Sequence, residues 1–101
     1  MGQQIVRNSS VTISGTTTRA CLAVMIGYKR TQLIITNTSA AAVATITKGN
    51  QAAVAGAGIR LPPNGSYLES TDSGFNCWQG EVQVIADAAG TVAVVETLES
   101  V

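Results

Sequence analysis

The stretch Arg30-Thr31-Gln32-Leu33-Ile34-Ile35-Thr36-Asn37-Thr38-Ser39 decides the fold, because a strand and its stop stand side by side in it. A charge opens it, β-branched apolar residues fill it, and Asn37-Thr38-Ser39 closes it. Branched side chains fit a pleated surface, whereas Asn and Ser bond nearby backbone groups and so end a ladder. It reads as a central strand.

The same grammar extends in both directions. Upstream, Ser10-Val11-Thr12-Ile13-Ser14 alternates with period two, placing Val11 and Ile13 inward, and Gly15 ends it. The apolar run Ala20-Cys21-Leu22-Ala23-Val24-Met25-Ile26 contains helix formers, but Gly27 and the flanking Thr residues favour a strand buried on both faces or against a second subunit. Downstream, Ala42, Ala44 and Ile46 share one face, and the turn at Thr38-Ser39 suggests a hairpin with the central strand. Residues 51–58 are small and too rich in Gly for a stable helix and read as a bent edge or bulged loop. Ile59-Arg60-Leu61 runs into Pro62-Pro63-Asn64-Gly65, where Pro presets a turn and Gly admits positive φ. Glu81 to Ala86 and Thr91 to Glu96 form a second expected hairpin around Asp87-Ala88-Ala89-Gly90. Phe75 and Trp78 are the largest core pieces. Leu33, Ile35, Ile46, Leu61, Val82, Val84, Val92 and Val94 are expected inside.

About eight short strands with regularly spaced turns indicate an all-β chain, a single small antiparallel β-sandwich of jelly-roll-like or Ig-like type. A length of 101 residues leaves room for one domain, 1–101, with one modest core. Residues 1–8 carry Ile5 and Val6 among polar neighbours with no partner strand nearby, so they read as an extended N-terminal arm.

Charge narrows the function. Six basic and six acidic residues cancel, and nothing concentrates Lys or Arg beyond Lys29-Arg30, so the footprint of a nucleic-acid binder is missing. Charged residues make up only 12%, about half the usual share, which favours self-association or docking on a surface. The N-terminus lacks the basic-then-apolar pattern of a leader, and no apolar run is long enough to span a membrane. A soluble protein is expected.

Catalysis finds few materials. With no His, the commonest general base, the Ser-His relay and most zinc sites are absent. Cys21 and Cys77 alone cannot complete a structural metal site and have no basic neighbour in sequence. They read as buried free thiols, the alternative being a disulfide closing a long loop worth ~4 kcal/mol. Glu69, Asp72 and Asn76 surround one loop but supply too few oxygens for calcium, so they read as solvated charges. Gly56-Ala57-Gly58 lacks the Gly-Lys-Ser/Thr ending of a phosphate loop. Tyr28, Tyr67, Phe75 and Trp78 are assigned to the core before any stacking platform. No enzyme, metal or cofactor is expected.

A family resemblance adds to this. Arg30-x-x-Leu33-Ile34-Ile35-x-Asn37-Thr38-Ser39, Gly58-x-x-Leu61-x-Pro63-x-Gly65-Ser66-Tyr67 and Trp78-x-Gly80-x-Val82 together resemble small β-sandwich domains of tailed-bacteriophage virion proteins. These include capsid decoration or cement proteins and domains of head and tail fibres. The resemblance covers roughly residues 30 to 97. It implies a non-enzymatic virion protein, assembled in the host cytoplasm, that forms homo-oligomers, often trimers, on a lattice of major capsid protein. With the arm, it makes Ile5, Val6 and Arg7 the candidate interface residues. The alternative is a fibre-tip or carbohydrate-binding adhesion module, which should present exposed aromatics around a shallow site.

Overall fold

A computed structural model describes residues 3–71 and 77–101 of the chain. Eight strands follow in order: β1 (Gln4–Ile13), β2 (Thr18–Cys21), β3 (Tyr28–Asn37), β4 (Ala44–Lys48), β5 (Ile59–Leu61), β6 (Ser66–Ser70), β7 (Val82–Ala86) and β8 (Gly90–Ser100). They build two four-stranded sheets, ordered β1-β8-β3-β6 and β2-β7-β4-β5. Every neighbouring pair is antiparallel. The fold is the expected small β-sandwich, and its strand order is that of a jelly roll, in which every connection except β4 to β5 passes from one sheet to the other.

The two expected hairpins are therefore corners. β3 lies between β8 and β6, while β4 lies between β7 and β5, and β7 and β8 also sit in different sheets. A corner sets the apolar faces of the two strands opposite one another across a shared core, whereas a hairpin would set them side by side and leave both in need of cover. The turn at Pro62 to Gly65 forms, with Gly65 N donating to Pro62 O at 2.8 Å. The positive φ falls on Asn64, at 68°, and not on the glycine, since Asn tolerates this conformation. Gly65 serves by its lack of a side chain, because a Cβ there would lie 2.8 Å from Pro62 Cδ.

All eight residues expected inside are buried, none more than 3% exposed. Ile13 and Leu98 join them, and Val11, Tyr67 and Trp78 pack on the margin. At ~25 cal/mol per Å² of apolar area, each such aliphatic side chain supplies about 1.5–3 kcal/mol. Trp78 departs from the core assignment: it is half-buried, and its indole N–H donates to Glu81 O at 2.8 Å. Phe75 lies outside the described residues.

Residues 4 to 8 are not a free arm. They are the first half of β1, which pairs without interruption with β8 from Gln4↔Glu99 to Ile13↔Gly90. The partner lies at the other end of the chain, where no local pattern points to it. Residues 49–58 lie against the second sheet, with Ala53 N donating to Thr17 Oγ1 at 2.9 Å, and Thr45 is buried. There Gly56 N donates to Thr45 Oγ1 at 3.1 Å. Gly58 lies so close to β4 that a Cβ would sit 2.6 Å from Ile46 O.

Candidate interaction surface

The apolar run 20–26 divides where β2 ends. Ala20 and Cys21 are buried, whereas Leu22, Met25 and Ile26 are exposed, Ile26 completely. The expectation of a strand buried throughout fails here, because the pairing with β7 shifts at a bulge between Arg19 and Cys21 and stops at Cys21, opposite Val82. Gly27, at φ 89°, turns the chain into β3, with Tyr28 N donating to Met25 O at 3.2 Å. Both chain ends lie alongside: Val101 N donates to Gly27 O at 3.0 Å and Ser100 N to Gln3 O at 2.9 Å. Exposed Val101 thus extends the apolar surface of the loop.

A buried arginine holds this loop. The register of β3 against β8 shifts between Arg30 and Gln32, and this bulge turns Arg30 to the same inward side as Leu33 and Ile35. Arg30 is 0% exposed. Its Nε donates to Glu96 Oε2 at 2.9 Å, with Nη2 forming the ion pair 2.8 Å from the same oxygen, Nη1 donates to Trp78 O and Gly80 O, and Nη2 donates to Leu22 O at 2.9 Å. Glu96 Oε1 also accepts from Arg7 Nη2 at 3.4 Å. Gln79 clamps the Arg30 backbone, accepting from its N–H at 2.7 Å and donating to its carbonyl at 2.8 Å, while Gln79 O accepts from Val24 N at 2.9 Å. The exposed apolar side chains therefore stand on a loop tied at Leu22 and Val24. A tied loop loses little freedom when a partner covers it.

Ile5, Val6 and Arg7 occupy β1 near the same end, but on different faces. Val6 is exposed on the outer side, whereas half-buried Ile5 and Arg7 lie toward the second sheet. Across the strands, the outward row Asn8, Val95, Ile34 and Leu68 is flanked by Val6, Thr97, Gln32 and Ser70 and by Ser10, Ala93, Thr36 and Ser66. No charge interrupts these rows.

Glu69, singled out as a loop charge, is engaged in a closed cluster on the flank of the sandwich. Lys48 Nζ lies 2.7 Å away, Tyr67 OH donates at 2.7 Å and Trp78 N donates at 3.0 Å. Burial pushes the Glu69 carboxyl upward, but the donors from Lys48, Tyr67 and Trp78 outweigh it and leave the group below its ordinary value. Asp72 and Asn76 lie outside the described residues. Among the described residues no group of three His, Cys, Asp or Glu could hold a metal ion, and no helix is long and apolar enough to cross a membrane.

Cys21 and Cys77 are free and buried. Burial pushes the Cys21 thiol from 9.0 to about 11, the nearby Arg30 charge opposing, and burial also raises Cys77. A raised folded-state value contributes stability that is fully present below the unfolded value and is lost as pH rises through the folded one. Stability is therefore expected to decline between pH 9.0 and about 11. At neutral pH both thiols should resist a thiol reagent in the native protein and react after unfolding without reductant. Rapid labelling of the native protein would contradict this, and failure of both to react after unfolding would indicate a disulfide.

The sequence matches no family model and no curated protein. Similar folds occur among solved structures. A protein of Bacillus endospore appendages, which form disulfide-linked pili, is 11% identical over 99% of this chain and 89% of that one, with a TM-score of 0.54. A chain of the cyanophage Pam1 capsid is 17% identical over 99% of this chain and 86% of that one, with a TM-score of 0.48. Tobacco streak virus coat protein is 10% identical over 96% of this chain and 85% of that one, with a TM-score of 0.46. The appendage protein shares the fold; the other two scores are too low for any inference.

Proposed function

We propose that the protein is a non-catalytic structural subunit of a phage virion, decorating and stabilising an assembled lattice of major capsid protein. It acts as a homo-oligomer, a trimer being the form the resemblance implies. The observation that carries the reading is the tied loop 22–27, which presents Leu22, Met25 and Ile26 to solvent beside Val101. An apolar surface held in place marks a docking site more than a soluble catalyst. Of Ile5, Val6 and Arg7 on β1 near the same end, exposed Val6 adds to the docking surface from the outer face, while half-buried Ile5 and Arg7 border it from the side of the second sheet. One loop buries little area, so firm attachment depends on several copies of an oligomer binding together.

The test is to replace Leu22, Met25 and Ile26 together by Ser, confirm the β-rich spectrum, and mix the variant with particles stripped of the protein. Binding and particle stability should both be lost. Undiminished binding would exclude the loop as the contact. Binding of the unmodified protein to host cells or glycans, and never to capsid, would replace this reading with that of an adhesion module.

A further inference from the structure

A sandwich of two open sheets has four edge strands, and an unprotected edge invites another strand, so natural proteins shorten, bulge or interrupt their edges. Three edges here follow that practice. β2 has four residues and a bulge, β5 has three residues and runs into Pro62, and β6 has five. β1 does not: it runs for ten residues, keeps an unbroken register with β8, and contains neither Pro nor Lys.

The free hydrogen-bonding groups of β1 can be assigned. Ser100 N donates to Gln3 O, and the register pairs Ile5 with Leu98 and Arg7 with Glu96. Residues 5, 7, 9, 11 and 13 therefore direct their backbone groups to β8, and residues 4, 6, 8, 10 and 12 direct theirs to the open edge. Beside that edge lies a groove of about 400 Å³, lined on one side by Arg7, Asn8 and Ser9 and on the other by Ala20, Cys21 and Leu22. Arg7 Nε is buried there without an acceptor.

We propose that the open edge of β1 is occupied by β1 of a second copy, running antiparallel about a two-fold axis at Asn8, so that two four-stranded sheets join into one of eight strands. Opposed residues of an antiparallel pair share a face, so the axis must pass through a residue, and the overlap of the two strands is longest when that residue is one of the central pair of β1, Asn8 or Ser9. With the axis at Asn8, Ser9 of the second copy opposes Arg7 and brings a hydroxyl acceptor to the unmet Nε. With the axis at Ser9, Val11 would oppose Arg7 and leave Nε unmet. At Asn8 the two side-chain amides meet, each both donor and acceptor, and Ile5 faces Val11 of the second copy. Charge does not oppose the contact, because Arg7, the only charged residue of β1, is already paired with Glu96. The contact does not rest on the capsid reading: an isologous pair joins two copies with or without a lattice, and among trimers it would link neighbours.

Sedimentation of the full chain, alone and with two variants, tests this. Asn8→Cys places thiols across the axis at a separation a disulfide spans, and oxidation should give a covalent dimer, whereas Thr12→Cys, which would oppose Gln4, should not. Asn8→Pro removes an N–H that β8 does not use, and should convert dimer to monomer with an unchanged far-ultraviolet spectrum. A monomeric unmodified chain, a dimer that survives Asn8→Pro, or equal crosslinking of the two cysteine variants would each overturn the proposal. So would a monomer whose β1 edge binds only stripped particles, since the occupant would then be a lattice strand. Should Asn8→Pro fail to fold, the cysteine pair decides alone.

Discussion

Replacing Arg30 by Met is expected to destabilise the protein by about 3–5 kcal/mol in denaturant unfolding, the usual cost of removing one partner of a buried ion pair. The loss has two parts. Glu96 is left in the interior with only Arg7 at 3.4 Å, and the carbonyls of Leu22, Trp78 and Gly80 lose their donor. A second change, Glu96→Leu in the same chain, should recover part of the loss, because the stranded carboxylate disappears while the carbonyls stay unmet. Arg30→Lys should restore charge without the planar fork and so recover little. A cost for Arg30→Met within about 1 kcal/mol, the scale of an exposed pair, would mean that Arg30 is not buried in solution. The same variant should loosen loop 22–27, so hydrogen exchange at Val24 should accelerate even if global stability falls less than expected.

At the opposite end of the sandwich, Asn37→Ala is expected to cost about 3 kcal/mol. Asn37 is 0% exposed, and its Nδ2 donates to Ala42 O at 2.7 Å and Leu61 O at 2.9 Å while its Oδ1 accepts from Ser39 N at 3.0 Å. Each buried group left without a partner costs about 1–3 kcal/mol. Asn37→Asp should be worse at neutral pH, since a carboxylate would face the two carbonyls that now receive N–H donors. Its deficit should shrink on acidification: a protonated carboxyl can donate one bond, so the folded state holds the proton more tightly and stability declines as pH rises. Equal stability of Asn37→Asp and the unmodified chain at neutral pH would show that the side chain does not bridge these corners.

Much of this end was legible in the sequence. In the sequence Asn37 marks a strand stop that satisfies backbone groups locally, and its bond to Ser39 N is that contact. Its bond to Leu61 O was not legible, because Leu61 belongs to another sheet. The candidate surface was less accessible still. Leu22, Met25 and Ile26 form an ordinary apolar run in the sequence, and nothing local distinguishes the buried Cys21 from the exposed Leu22 beside it. Arg30 was visible as a charge opening a strand; its burial follows from a bulge that no residue type announces.

The amino-acid order by itself determined that the chain is all-β, where its main strands turn, and that residues such as Leu33, Ile35, Val82, Val84, Val92 and Val94 lie inside. Those properties depend on neighbours one to four positions apart, through period-two alternation and turn chemistry. Only the tertiary structure decided that the expected hairpins are corners, that the two ends of the chain pair as β1 and β8, that Arg30 is an interior residue and that the loop at Leu22 is exposed. These depend on which distant strands meet. That choice minimises the exposed apolar area and unmet backbone groups of the whole sandwich, a sum over contacts far apart in the chain that no short window contains.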